Sequence, residues 1–234
     1  MPRGKVVVLC GLIGSGKSTL SRELAQSLGS TTLWQSEPDE KDGRNPYLAD
    51  YYADPKRWAL SMQVSLLSTR YAQHKQAQWH AMNTGHHAVT DASYWQDTSY
   101  ARLQLKLGLM TEREFGTYQS LYHAMTASVL LPNVLVRILV SPETCNRRIA
   151  KRMEAETGRK CEQAIDLGYL QALDQEIDHM TRILKQMGVY VLEIPWDTDR
   201  DTPELRQAAV TALAARIQAI QSPDPFLDLH RRTV

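Results

Sequence analysis

The sequence holds only three cysteines, Cys10, Cys145 and Cys161, an odd number spaced too widely for a zinc motif. That argues against a disulfide framework or a cysteine metal site and for a reducing compartment. No apolar run reaches membrane-spanning length and no signal-peptide pattern is present, so a soluble cytoplasmic protein with no membrane partner is expected. Neither charge is in excess: 27 Lys and Arg stand against 26 Asp and Glu, interspersed, for a net charge of +1. Such a balance argues against a surface that coats nucleic acid, and polymeric DNA is disfavoured as a substrate but left open. Internal repeats and low-complexity tracts are missing. So is any Asn-Lys-x-Asp guanine motif, which argues against a GTPase. What remains is 234 residues, 43% hydrophobic, enough to bury one good core. One domain is expected over 1–221, with 222–234 a tail.

One stretch organises the rest. Residues 5–10 read as a short buried strand, and Gly11, Gly16, Lys17 and Ser18 after it match G-x-x-x-x-G-K-[ST]. An amphipathic helix follows, with Gly29 placed as its C-cap. In this strand-loop-helix context Gly11, Gly14 and Gly16 let the backbone curl around phosphate oxygens. Ser15 and Thr19 belong to the same loop and helix start, Lys17 can reach the β- and γ-phosphates, and the Ser18 hydroxyl can hold Mg²⁺. Nucleotide binding follows from these residues; what is done with the nucleotide does not.

Further along, 31–35 reads as a second strand ending at Ser36-Glu37-Pro38, and 39–45 as a polar loop closed by Pro46. A helical pattern fills 55–79, stopped by Asn83-Thr84-Gly85, and 87–91 is a third strand ending in Asp91. Helices are predicted over 97–107 and 112–127, a strong strand over 134–140, and a helix opened by Ser141-Pro142-Glu143 that runs into a basic stretch through Lys160. The chain continues with a helix over 166–187, a strand over 189–194, a loop over 195–202 and a helix over 203–220. Five strands alternating with helices predict an α/β fold of the P-loop NTPase type, a five-stranded parallel sheet covered by helices on both faces in three layers.

In such a sheet the active site lies beyond the carboxyl ends of the strands. Three strand ends bring the phosphate loop, Glu37 and Asp91 together there. We assign Glu37 as a general base for a hydroxyl nucleophile and Asp91 to the metal. Arg148 and Arg152 share a helix face four residues apart, and with Arg159 they suit an arginine-rich lid, about 148–162, that closes over a transferring phosphoryl group. Arg147 and Lys151 fit a solvated helix face better. Gln63 and Arg70 project from one helix face about 10 Å apart along the axis. A glutamine amide suits the edge of a nucleobase and Asp97 can hold Arg70, although the sequence alone favours an ordinary surface glutamine and ion pair.

The order of these features resembles the deoxynucleoside kinase family over about residues 4–200. The likeness rests on Gly11–Ser18, Glu37-Pro38, Asn45-Pro46-Tyr47-Leu48 and the run from Tyr51 to Trp58, followed by Gln63 with Arg70 and Asp91-Ala92-Ser93-Tyr94 with Asp97. Ser141–Cys145, the arginine-rich stretch ending in Glu162, and Tyr169-Leu170 complete it. The resemblance implies an ATP- and Mg²⁺-dependent kinase whose Glu37 takes the proton of the sugar 5′-hydroxyl. It implies that Tyr52 and Glu162 bond the 3′-hydroxyl, Gln63 meets the base and Trp58 walls the pocket. Arg70 and Asp97 would complete the base end, with Asp97 favouring deoxycytidine or purines over thymidine. Arg148, Arg152 and Arg159 match the lid, the loop near 196–199 falls where the adenine of ATP is held, and the family implies a homodimer.

Three departures mark this sequence. Ala92 stands where the family has an arginine that supports the phosphate region and the base carboxylate. Residues 39–42 replace a tryptophan, and Met153–Thr157 lengthen the lid. They keep two alternatives in view: a kinase acting on a nucleoside monophosphate or a hydroxymethylated nucleotide in DNA, and a non-catalytic nucleotide-binding subunit.

Overall fold

Every residue of the first strand, β1 (Val6–Cys10), is apolar and at most 4% exposed. A strand with no polar face can only lie inside a sheet covered on both sides. The computed structural model, which describes residues 4–38, 43–155, 165–198 and 202–221, places β1 at the centre of a five-stranded sheet. Its partners are β2 (Leu33–Gln35), β3 (Ala88–Asp91), β4 (Val134–Leu139) and β5 (Tyr190–Pro195). The order is β2-β3-β1-β4-β5, parallel throughout, with Val7 opposite Val89 on one side and Val134 on the other.

Among the described residues seven helices fill the connections, α1 (Lys17–Leu28), α2 (Leu48–Ala53), α3 (Pro55–Thr84), α4 (Tyr94–Lys106), α5 (Glu112–Thr126), α6 (Pro142–Ala155) and α7 (Leu167–Gln186), and α8 (Pro203–Ala219) follows the last strand. The step from β1 to β2 runs one way across the sheet and every later crossover runs the other. Right-handed crossovers therefore put α1 on one face and α3 to α7 on the opposite face. The last helix, α8, returns to pack on α1. This is the expected three-layer α/β architecture, and it collects the carboxyl ends of β1, β2 and β3 at one edge.

Three differences from the predicted elements matter. First, a short helix, α2, occupies a stretch with no predicted element. Asp54 both ends it and caps α3, accepting a hydrogen bond from the Arg57 N–H at 3.1 Å with Pro55 as the first helical residue. Second, α3 runs five residues past 79, to its C-cap at Gly85, whose φ of 74° ends it. Third, α4 begins three residues earlier than predicted, because the Ser93 side chain caps it by accepting from the Gln96 N–H. Asp97 is therefore carried one turn into the helix, where it is buried.

Candidate active site

Each glycine of the phosphate loop answers a distinct constraint. A Cβ on Gly11 would lie 2.8 Å from the Ser15 hydroxyl and 3.2 Å from Ile138. Gly14 has φ 79°, and a Cβ there would meet the Cys145 carbonyl at 2.8 Å. Gly16 has φ 90° and is the N-cap of α1, so the loop opens directly onto a helix N-terminus. Lys17 is buried and its Nζ donates to the carbonyls of Gly11 (3.2 Å) and Leu12 (2.9 Å). Ser15 is buried beneath the loop, whereas Ser18 and Thr19 face a cleft of about 610 Å³.

That cleft gathers most of the predicted site. Glu37 and Asp91 line it at the ends of β2 and β3, together with Gln63, Arg70, Asp97, Tyr52, Arg148 and Arg152. The Glu37 carboxylate is 45% exposed and pairs with the Arg70 guanidinium at 3.2 Å. On its other side Arg70 lies 3.2 Å from Asp97, itself only 1% exposed. The expected hold of Asp97 on Arg70 is present, and neither it nor Gln63 is on the surface: Gln63 is 1% and Arg70 6% exposed. Polar residues at helical spacing turned inward here because the first half of α3 walls a cleft rather than facing solvent.

Burial dominates the electrostatics. It pushes Asp91 up to about 6; the charge of Glu37 adds to the rise, while Lys17, the Ser18 hydroxyl and Arg70 oppose it. Asp97 also rises to about 6 through burial, with Arg70 opposing and Glu37 adding. For Arg70, burial alone would lower the pKa, but the carboxylates of Asp97 and Glu37 prevail and raise it. Both oxygens of Asp91 are buried without a hydrogen bond among the described residues, although the Ser18 hydroxyl stands beside them.

Other predicted residues distribute differently. Trp58 does not line the cleft. It packs against Tyr47, with ring centroids 5.6 Å apart, in an apolar cluster with Tyr51, Met62 and Leu66. Arg148 ties α6 to the loop after β5, donating to the carbonyls of Trp196 (3.0 Å) and Asp197 (3.3 Å). That loop is anchored again where the Ser141 N–H and hydroxyl donate to Asp197, and the Trp196 indole lies against Gly16. Arg159 and Glu162 fall outside the described residues, as do Thr157 and the tail.

Sequence reasoning passed over several residues. Gln96 holds the phosphate loop by both ends of its amide: Oε1 accepts from the Gly11 N–H at 3.3 Å, and Nε2 donates to the Gly11 carbonyl at 3.0 Å. Arg44 donates to the Ser36 hydroxyl at 2.7 Å and to the Glu37 carbonyl at 3.2 Å, fixing the backbone that carries the carboxylate. Tyr100 and Gln104 line the cleft one and two turns beyond Asp97. The i, i+3, i+7 spacing of these three was the available signal.

The sequence model for deoxynucleoside kinase matches residues 7–214. A deoxyadenosine kinase of Dictyostelium discoideum is 30% identical over 204 residues, covering 87% of this chain and 77% of that protein. A deoxyguanosine kinase of Lactobacillus acidophilus is 35% identical over 185 residues, covering 77% and 72%. Among solved structures, deoxyadenosine kinase from M. mycoides with bound dATP superposes with a TM-score of 0.70 at 23% identity, covering 89% of this chain and 98% of that one. That likeness speaks to the fold.

Proposed function

Because this chain belongs to the deoxynucleoside kinase family, we propose that it transfers the γ-phosphoryl group of ATP to the 5′-hydroxyl of a deoxynucleoside, purine or deoxycytidine ahead of thymidine. The observation that carries the reading is Glu37: it shares one cleft with the phosphate loop, and its carboxylate is held by Arg70 yet open to that cleft. In the reaction the 5′-oxygen forms a bond to the γ-phosphorus as the bond to the β-bridging oxygen breaks. The hydroxyl proton passes to the Glu37 carboxylate, and ADP leaves.

The other residues take parts set by their chemistry. Backbone N–H groups from Gly14 to Thr19 and the α1 N-terminus cradle the phosphates, and Lys17 exchanges its loop carbonyls for phosphate oxygens. Asp91 and Ser18 fit a magnesium ion, since Asp91 offers two buried oxygens without hydrogen bonds beside the Ser18 hydroxyl. Such an ion, when bound, neutralises charge shared between the phosphates. Arg148 and Arg152, which line the cleft from α6, supply positive charge to the transferring phosphoryl group, and the family likeness gives Arg159 the same part. Tyr52 and Glu162 take the 3′-hydroxyl, and Gln63 the base.

Labelled transfer from ATP to the four deoxynucleosides, their monophosphates and hydroxymethyl-containing DNA tests this, with Glu37→Gln in parallel. The expected result is labelling of a free deoxynucleoside that drops about 10²- to 10⁴-fold in E37Q while ATP affinity holds. Label confined to monophosphates or DNA, or no transfer from a protein that binds ATP, would overturn it.

A further inference from the structure

The acceptor end of the cleft holds a second buried amide whose hydrogen-bonding capacity the fold leaves largely unused. Gln104 is fully buried, lines the cleft, and among the described residues has no hydrogen-bond partner for either Oε1 or Nε2. The Tyr51 hydroxyl stands beside it and is placed to accept from one of its N–H groups, which leaves the rest of the amide open to the cleft. An amide buried without partners costs free energy that folding does not return. Gln63, from the facing helix, lines the same cleft with its Oε1 buried and likewise unpartnered.

The relation between α3 and α4 places these two amides at one level. Contacts run in opposite order along the helices. His74 packs edge-on against Tyr94 and Trp95, with ring centroids 5.3 and 4.8 Å away. Arg70 pairs with Asp97, and Met62 and Leu66 share an apolar cluster with Met110. The helices are therefore antiparallel. Seven residues back from Arg70 is Gln63, and seven on from Asp97 is Gln104; each lies about 10 Å from that ion pair along its helix axis. Since Arg70 also holds Glu37, the amides sit about two turns away from the reacting hydroxyl, where the base of a bound nucleoside lies.

We propose that Gln104 is a specificity-determining residue that reads a second edge of the base, opposite the edge met by Gln63, and that the preferred acceptors are purine deoxynucleosides. The proposal rests on the kinase reading above. A purine offers hydrogen-bonding atoms on two edges, the Watson–Crick edge and the edge bearing N7. A pyrimidine offers one such edge and an apolar C5–C6 side. Only a purine pairs both amides; a pyrimidine leaves one buried amide unpaired, and sites built to hydrogen-bond reject ligands that fail to do so.

The test is steady-state phosphorylation by the full chain of deoxyadenosine, deoxyguanosine and deoxycytidine, with 1-deaza- and 7-deaza-2′-deoxyadenosine as edge probes, in wild type and Gln104→Met. Methionine keeps the volume and removes the amide. We expect the purine-to-deoxycytidine ratio of kcat/KM to fall about 10- to 100-fold in Q104M, and discrimination against one of the two deaza analogues to disappear. A parallel loss on every acceptor, or a ratio and deaza discrimination equal to wild type, overturns the proposal while leaving the kinase reading in place. Wild type that labels no deoxynucleoside overturns both. If Q104M unfolds, the wild type alone decides: deoxycytidine preferred over both purines, or equal rates on deoxyadenosine and both deaza analogues, overturns the proposal.

Discussion

Asp91→Asn separates what the site needs from what the fold tolerates. The carboxylate is 2% exposed and has no hydrogen bond among the described residues. Burial raises its pKa from the ordinary 3.8 to about 6. At 1.36 kcal/mol per pKa unit, that displacement makes the ionised Asp91 destabilising by about 3 kcal/mol at pH 8. The sign follows from linkage. The folded state binds the proton more tightly than the unfolded chain, so stability falls as pH rises from about 4 to about 6 and the whole penalty is in place above that. Asparagine fills the same space without the charge. D91N is therefore expected to be more stable than wild type at pH 8 by about 1–3 kcal/mol, a rise in Tm of several degrees for a chain of this size. The gain should shrink towards zero near pH 4, and magnesium with ATP should raise the Tm of wild type more than that of D91N. Thermal unfolding at pH 4, 6 and 8, with and without Mg-ATP, checks all of it. A D91N that unfolds at or below the wild-type temperature at pH 8 would refute the reasoning, because it would mean the fold already compensates the buried charge.

Three other perturbations follow from the same geometry. Arg70→Leu strands Asp97 and frees Glu37, so stability should drop by about 3–5 kcal/mol at pH 8 and by less at pH 5, where Asp97 can take a proton; denaturant melts at both pH values report it. Gln96→Leu removes two hydrogen bonds to Gly11, worth about 1 kcal/mol each, so the KM for ATP should rise about tenfold or more while that for the acceptor stays within about twofold of wild type. Ala92, at φ 77°, occupies a conformation that suits glycine, and Ala92→Gly should raise stability by up to about 1 kcal/mol, seen as a higher denaturant midpoint.

The sheet was legible because β1 is a continuous apolar run and β4 nearly one, both bounded by turn residues, the pattern of strands covered on both faces. Helix ends were less so. Ser93 caps α4 four residues before the first predicted helical position, and α2 is six residues long, too short for periodicity to declare itself. Its boundary with α3 depends on Asp54 serving two helices at once, which only the chain reversal makes visible. Of the site, the phosphate loop and the two strand-end carboxylates were readable, since local sequence alone places them. Gln96 and Gln104 were not, because Gln96 acts on a loop 85 residues away and Gln104 on a cavity that exists only once α3 and α4 have paired; Arg44 reaches back only eight residues, to Ser36, but from a polar loop with no regular pattern to read.

The inward stripe of α3 shows why polarity misleads at such a place. Met62, Gln63, Leu66, Leu67, Arg70, His74, Ala77 and Ala81 are all buried and recur at helical spacing, yet their chemistry changes along the helix. Beside the sheet the stripe meets protein, and alanine and a histidine whose pKa burial lowers to about 4 suffice there. Above the sheet it meets a cleft, so glutamine and arginine serve. The same logic bears on Ala92. An arginine at that position in the family supports the base carboxylate; here the Glu37 carboxylate has Arg70 at 3.2 Å and its backbone carbonyl has Arg44 at 3.2 Å. Two cations reaching Glu37 from other segments mean that alanine at 92 does not leave the proposed base without positive charge. The departure that most favoured a non-catalytic subunit therefore loses its force, because support for a carboxylate depends on which charges reach it and not on the sequence position they come from.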